Sequence, residues 1–182
     1  TVLSSIMQFA MMPLQGLTQG AQPIVSYNYG ARNPQRVWRA FKVLLIACVT
    51  YSLTLWALVQ LFPQLFALMF TSDSELVSYA SWALRIYMAA TGVFGVQIAC
   101  QQTFIALGNA KTSLFLAVLR KLILLIPLIY LLPALLPDKV TAVFLAEPVA
   151  DTIAVTVTVL LFRVKFTACM REMEERAASQ HA

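Results

Sequence analysis

Residues 122–137 read LILLIPLIYLLPALLP, a stretch without a single charged side chain. The hydrocarbon core of a bilayer is about 30 Å thick, and an α-helix needs about 20 mostly apolar residues to cross it. This stretch and its apolar flanks therefore predict a membrane-spanning helix. The same pattern recurs along the chain: residues 1–31, 44–61 and 86–107 carry no charge, and residues 140–162 carry only Glu147 and Asp151.

The composition agrees with a chain built mainly of such segments. Hydrophobic residues make up 60% of the sequence and charged residues 12%, and the mean hydropathy is +0.76. A soluble domain of this size has no interior large enough for so much apolar surface. We therefore predict an all-α, polytopic membrane bundle of about five helices. The predicted spans are approximately residues 2–31, 37–61, 76–107, 113–136 and 140–162, followed by a tail over 163–182.

The distribution of basic residues predicts how these spans are oriented. Eleven of the thirteen basic residues fall on one side when each is assigned to a connection, whereas the opposite side has only Lys139. The cation-rich side of a membrane protein faces the cytoplasm. This places the C-terminus in the cytoplasm and residue 1 outside, so we expect a further helix upstream. The charged tail either extends the last helix or forms a solvated end. The eleven are Arg32, Arg36, Arg39, Lys42, Lys111, Arg120, Lys121, Arg163, Lys165, Arg171 and Arg176.

The first span carries uncharged polar residues at helical spacing. Gln15, Gln19 and Gln22 share one helix face, and Asn28 follows them. Amides in hydrocarbon need hydrogen-bond partners, so this face lines either a water-filled cavity or a contact between helices. Gly16 and Gly20 form a Gly-x-x-x-Gly pair, which predicts close helix packing.

The third span combines aromatic and amide side chains on one stripe. Phe94, Gln97, Gln101 and Phe104 are spaced three, four and three residues apart. Such a stripe suits flat organic molecules, and the face of an aromatic ring attracts cations. Ordinary core packing is the alternative interpretation.

Three ionisable residues lie within the predicted spans and are candidate functional groups for that reason. Glu147 and Asp151 are four residues apart, which puts both carboxylates on one face of the last helix. They could share a coupling proton or cation. Alternatively, they form a neutralising ion pair with Arg85, which we expect at about the same depth.

Several other functions are excluded or disfavoured. The sequence has no Gly-x-x-x-x-Gly-Lys-Ser/Thr loop for ATP, and no combination of residues typical of a hydrolytic enzyme. Its three cysteines are far apart and its one histidine, His181, lies in the tail, so we expect neither a disulfide nor a metal site. Membrane topology already explains the basic residues, so nucleic-acid binding is not expected. We predict no enzymatic activity and no cofactor.

Three stretches together carry a family resemblance: GLTQGAQPIVSYNYGAR over residues 16–32, ALGNAK over 106–111, and AEPVAD over 146–151. In order and spacing they resemble the multidrug and toxic compound extrusion (MATE) family. The resemblance implies two six-helix lobes around a central cavity, of which this chain is similar to the second lobe without its first helix. It also implies a multi-pass protein of the plasma membrane, or of the inner membrane in a bacterium.

The resemblance implies the antiport of organic cations, drugs or metabolites against sodium ions or protons. The expected partners are then the lipid bilayer, the missing N-terminal lobe, a small organic substrate and the coupling ion. The substrate-cavity candidates are Gln15, Gln19, Gln22, Asn28, Phe94, Gln97 and Gln101. Two alternatives stay open, a lipid-linked polysaccharide flippase of related architecture and a truncated membrane fragment that does not transport.

Overall fold

The structure is a computed structural model that describes residues 2–69 and 72–178, and these residues are almost entirely helical. No strand occurs within those two ranges, and the predicted all-α class is confirmed. The helices are α1 (Val2–Gly30), α2 (Pro34–Leu61), α3 (Pro63–Leu68), α4 (Ser74–Tyr87), α5 (Thr91–Ala106), α6 (Ala110–Val118), α7 (Ile126–Leu135) and α8 (Lys139–Ala178).

Three helices are long and apolar enough to cross a membrane: α2, the continuous helix Ala110–Leu135 that contains α6 and α7, and α8. The α4 and α5 pair becomes a fourth if it is counted as one bent span. Helix α1 has 29 residues but is not among these helices, so its crossing stays a prediction.

Local sequence signals set the helix boundaries. The Asn33 side chain accepts a hydrogen bond from the backbone N–H of Arg36, at 3.1 Å, and Pro34 occupies the first turn of α2. Asp73 caps α4 in the same way through the N–H of Glu75, at 2.9 Å. Gly108, with a φ of +79°, ends α5 in the left-handed conformation that glycine adopts without steric cost.

The predicted third span, 76–107, is broken in the structure. Its two halves, α4 and α5, meet at an angle of 52° after a short interruption that follows Tyr87. The bend is held by α2, because the Ser52 hydroxyl donates a hydrogen bond to the carbonyl of Gly92 at 3.0 Å. Gly95 then lies so close to α2 that a Cβ atom there would be 2.8 Å from the carbonyl carbon of Cys48.

The interior consists of two apolar clusters. One contains Ile6, Leu14 and Leu84. The other is built on Phe162, which stacks on Phe41 and Phe166 and meets Phe104 edge-on. The second cluster also reaches the predicted tail. Helix α8 runs unbroken to Ala178 and buries Met173, so the tail extends the last helix as far as the structure describes it.

Candidate functional site

The candidate site is a cluster of four charged side chains between α8 and the Ala110–Leu135 helix. Asp151 is 3% exposed, and its carboxylate accepts a hydrogen bond from Nε of Arg120. Glu147, one turn earlier, faces Nη2 of Arg120 at 3.4 Å and Nζ of Lys121 at 3.1 Å. The prediction that both carboxylates share a face is therefore correct, and two cations balance them.

A π-helical segment, Leu119–Leu125, presents the two cations. Its wider turn separates α6 from α7 within one continuous helix. Such insertions are rare and often occur at functional sites. Here Arg120 and Lys121 are adjacent in sequence, yet both reach Glu147.

An aromatic ring completes the site. The guanidinium carbon of Arg120 lies 4.3 Å from the ring centroid of Phe94, which is buried on α5. Such a contact contributes about 0.5–2 kcal/mol. The sequence pattern predicted a cationic ligand on Phe94, whereas the cation on this ring in the structure belongs to the chain itself.

A cavity of about 320 Å³ opens beside the cluster. Phe94, Arg120, Lys121 and Glu147 line it together with Tyr87 and the start of α1. Asp151 is not among its lining residues, but Arg120, which lines the cavity, donates the hydrogen bond to its carboxylate.

The expected pairing of Arg85 with the carboxylates is wrong. Arg85 is exposed, lines a different cleft of about 550 Å³ beside Phe62 and Trp82, and makes no ion pair within the described residues. The reason is depth. The charge count places Arg120 in a connection, but it lies ten residues into a continuous helix, about 15 Å along its axis.

The predicted span 113–136 itself contains Arg120 and Lys121, and this was the signal that could have identified them. Two cations inside an otherwise apolar helix need carboxylates at the same depth. Glu147 and Asp151 are the acidic residues within the neighbouring helix span.

Within residues 2–69 and 72–178, the predicted amide residues of α1 have different environments. Gln15 and Gln19 are exposed, whereas Gln22 accepts a 2.7 Å hydrogen bond from the Gln102 side chain on α5. Asn28 donates to the carbonyl of Ile24 in its own helix, at 2.7 Å.

On α5 the two predicted glutamines differ. The Gln101 side chain donates to the carbonyl of Ser113 at 3.2 Å, and it ties α5 to α6. Gln97 is 1% exposed, and its Oε1 has no hydrogen-bond partner within the described residues. Phe104 packs edge-on against Phe162 in the core.

The predicted packing role of Gly16 and Gly20 is not seen within the described residues. A Cβ atom built at either position would have no neighbour within 4 Å, and both glycines line an open groove between α1 and α2. Close helix approach occurs instead at Gly95, which the sequence did not single out because it belongs to no paired motif.

No cluster of metal-binding side chains occurs in residues 2–69 and 72–178. His181 lies outside those residues. Of the three cysteines, Cys48 and Cys100 are buried, Cys169 is partly buried, and all are free thiols.

Comparison with known proteins decides the family. The sequence profile of the MatE family matches residues 1–131, which is more than half of the chain. The chain belongs to this family. Members of the MATE family are transporters of small substrates and multi-pass proteins of the plasma membrane.

Individual relatives are distant. The chain is similar to an FAD transporter of Shewanella oneidensis, with 25% identity over 83% of this chain and 32% of that protein. It is also similar to the multidrug export protein MepA of Staphylococcus aureus strain NCTC 8325, with 24% identity over 93% of this chain and 38% of MepA. The chain therefore spans about a third of the length of these relatives.

Among solved structures, a ligand complex of the MATE multidrug transporter DinF-BH is 35% identical and has a TM-score of 0.79. The match covers 87% of this chain and 35% of that transporter. The arrangement of helices in this chain is therefore that of part of a MATE transporter.

Proposed function

We propose that this chain forms the C-terminal lobe of a secondary antiporter that exports organic cations, drugs or metabolites in exchange for sodium ions or protons. Family membership and the helix arrangement support a transporter. The sequence contains no ATP-binding loop, which agrees with an ion gradient as the energy source. In such carriers a second bundle must rock against this one, and we propose the N-terminal lobe as that partner.

The observation that carries the proposal is the cluster of Arg120, Lys121, Glu147 and Asp151. Ionisable groups at membrane depth are costly, and a purely structural core could be built more cheaply from apolar side chains. The cluster is formally neutral, but Asp151 can hold a coupling proton or sodium ion whenever Arg120 leaves it. Arg120 and the coupling ion would then compete for one carboxylate.

We propose that the substrate contacts the amide-rich faces of α1 and α5. Gln15 and Gln19 are exposed on α1 and free to meet a ligand from the other lobe. Gln22, Asn28, Gln97, Gln101 and Phe94 then line or support the cavity wall. An amide can donate or accept a hydrogen bond, which suits a site that takes different polar organic molecules.

We propose a plasma-membrane orientation with the C-terminus in the cytoplasm. Arg120 and Lys121 leave the count of cations in connections because they lie within the continuous Ala110–Leu135 helix. Nine basic residues still remain on the proposed cytoplasmic side, against Lys139 on the other. The asymmetry that sets the orientation is therefore kept.

The decisive experiment uses the two-lobed transporter that contains this chain, reconstituted in liposomes. Asp151→Asn should keep the dye affinity within a few-fold of wild type and the melting temperature within a few degrees of it. Exchange driven by a sodium or proton gradient should be lost. Asp138→Asn, which changes an exposed carboxylate outside the spans, is the matched control. Full gradient-driven exchange by a Glu147→Gln, Asp151→Asn double variant would eliminate the coupling role.

A further inference from the structure

A groove of about 850 Å³ runs between α1 and α2, outside the candidate site. Small residues form much of its lining, namely Gly16, Gly20 and Ala21 on α1 and Ala40 and Ala47 on α2. A Cβ atom at Gly16 or Gly20 would meet nothing within 4 Å, so the slot is open. From Gly16 to Asn28 the groove extends about 18 Å along α1, close to the roughly 15 Å thickness of one leaflet of the hydrocarbon core.

One end of this apolar groove is cationic. Arg36 and Arg39 both line it, next to Asn28, and both are exposed. Neither takes part in an ion pair within the described residues. Residues 1–72 contain no acidic residue at all, so neither helix of the groove supplies a counter-charge.

We propose that this groove binds an anionic phospholipid, with the headgroup phosphate on Arg36 and Arg39 and one acyl chain along Gly16 and Gly20. Guanidinium groups bind phosphate oxygens in a bidentate manner. A slot that is apolar along its length and cationic at one end matches an amphiphile with a single anionic head. A purely apolar helix would fill the slot but would leave both arginines without a counter-charge. The groove shares Asn28 with the proposed substrate wall but contains none of the four residues of the charge cluster, and lipid binding there does not depend on transport.

The test measures lipid binding by native mass spectrometry of the protein purified from membranes. The probes are phosphatidylglycerol and phosphatidylcholine with identical acyl chains. The Arg36→Gln, Arg39→Gln double variant should bind phosphatidylglycerol about 30-fold more weakly. Each cation near an anionic lipid contributes about 1 kcal/mol, so the loss of two weakens binding by about 2 kcal/mol. The matched control is Arg32→Gln, Lys42→Gln. It removes the same net charge from the same end of the helices but leaves the groove intact, since Lys42 lies over the Trp38 ring at 5.0 Å. Its affinity should stay within about threefold of wild type.

A third variant tests the acyl slot separately from the charges. Gly20→Leu places a side chain in open space, so the fold should tolerate it, and it should weaken the binding of both lipids. Equal affinities for the two lipids in the wild type, or equal losses in the two double variants, would overturn the proposal. A lipid-free dimer that Gly20→Leu dissociates would also overturn the proposal, because the groove would then hold a second copy of the chain.

Discussion

Arg120 is the residue whose replacement best tests the account of the charge cluster. Asp151 has a 5% exposed side chain and one cationic partner, whereas Glu147 keeps Lys121 at 3.1 Å if Arg120 is lost. Removing one partner of a buried ion pair costs about 3–5 kcal/mol, because the remaining charge is left uncompensated. We therefore expect Arg120→Gln to lower the free energy of unfolding by about 3–5 kcal/mol.

The compensating variant makes the prediction specific. Arg120→Gln combined with Asp151→Asn leaves no uncompensated carboxylate, since Lys121 still faces Glu147. The double variant should recover at least about 2 kcal/mol of the stability that Arg120→Gln alone loses. In a double-mutant cycle this recovery is a favourable coupling energy between Arg120 and Asp151. Equilibrium unfolding of the purified protein in mixed micelles, followed by circular dichroism, measures all four proteins of the cycle.

Arg85→Gln is the matched control, because it removes the same charge from an exposed side chain without an ion pair among the residues that the structure describes. Its effect should stay within about 0.5 kcal/mol. The account is refuted if Arg120→Gln costs less than about 1 kcal/mol, or if Arg85→Gln costs more than Arg120→Gln.

Three further predictions concern orientation, packing and helix capping. With native thiols removed, a cysteine at Asn33 should resist an impermeant reagent in intact cells and one at Ser72 should react; the reverse pattern would invert the proposed topology. Gly95→Ala should destabilise the protein by about 1–3 kcal/mol, because the added Cβ meets the backbone of α2. Gly20→Ala is the control and should not destabilise the protein, because its Cβ meets no neighbour. Equal unfolding midpoints for the two variants would contradict the close contact at Gly95. Hydrogen bonds from the Thr141 hydroxyl and from the first N–H groups of α8 lower the pKa of Asp138 from 3.8. The stabilisation of α8 by the Asp138 cap is therefore fully present above the ordinary pKa of 3.8 and is lost as pH falls through the lowered pKa. Hydrogen exchange of the first turn of α8, measured against pH, should show this loss of protection in the wild type and not in Asp138→Asn.

The sequence predicted the all-helical class because hydrophobic spacing acts locally. In the structure Asn33 and Asp73 cap helix starts and Gly108 follows a helix end, and the shared face of Glu147 and Asp151 follows from helical periodicity alone. The break that follows Tyr87 was not predicted, because residues 86–107 are uniformly uncharged. The interruption depends on a hydroxyl and a close approach from α2, which lies about 40 residues away in sequence.

The candidate site was only half predicted for the same reason. The two carboxylates could be found in the sequence, and so could two candidate cations inside predicted spans, Arg85 and Arg120, but the sequence could not decide between these two. Helix packing decides which guanidinium lies at the depth of Asp151. The π-helical segment further sets which way Arg120 and Lys121 point, and it has no distinct signature in the apolar run around it.

The amino-acid sequence by itself determined that this protein is an all-helical membrane bundle, because composition and apolar run length are properties of segments, and three motif stretches carried its resemblance to the MATE family. It also determined that residues 1–72 contain four cations and no acidic residue. Only the tertiary structure decided that Arg120, and not Arg85, neutralises Asp151, and that Gly95 makes the close helix contact while Gly16 and Gly20 stay open. Those outcomes depend on the relative depth and rotation of helices, which long-range packing fixes and local sequence does not encode.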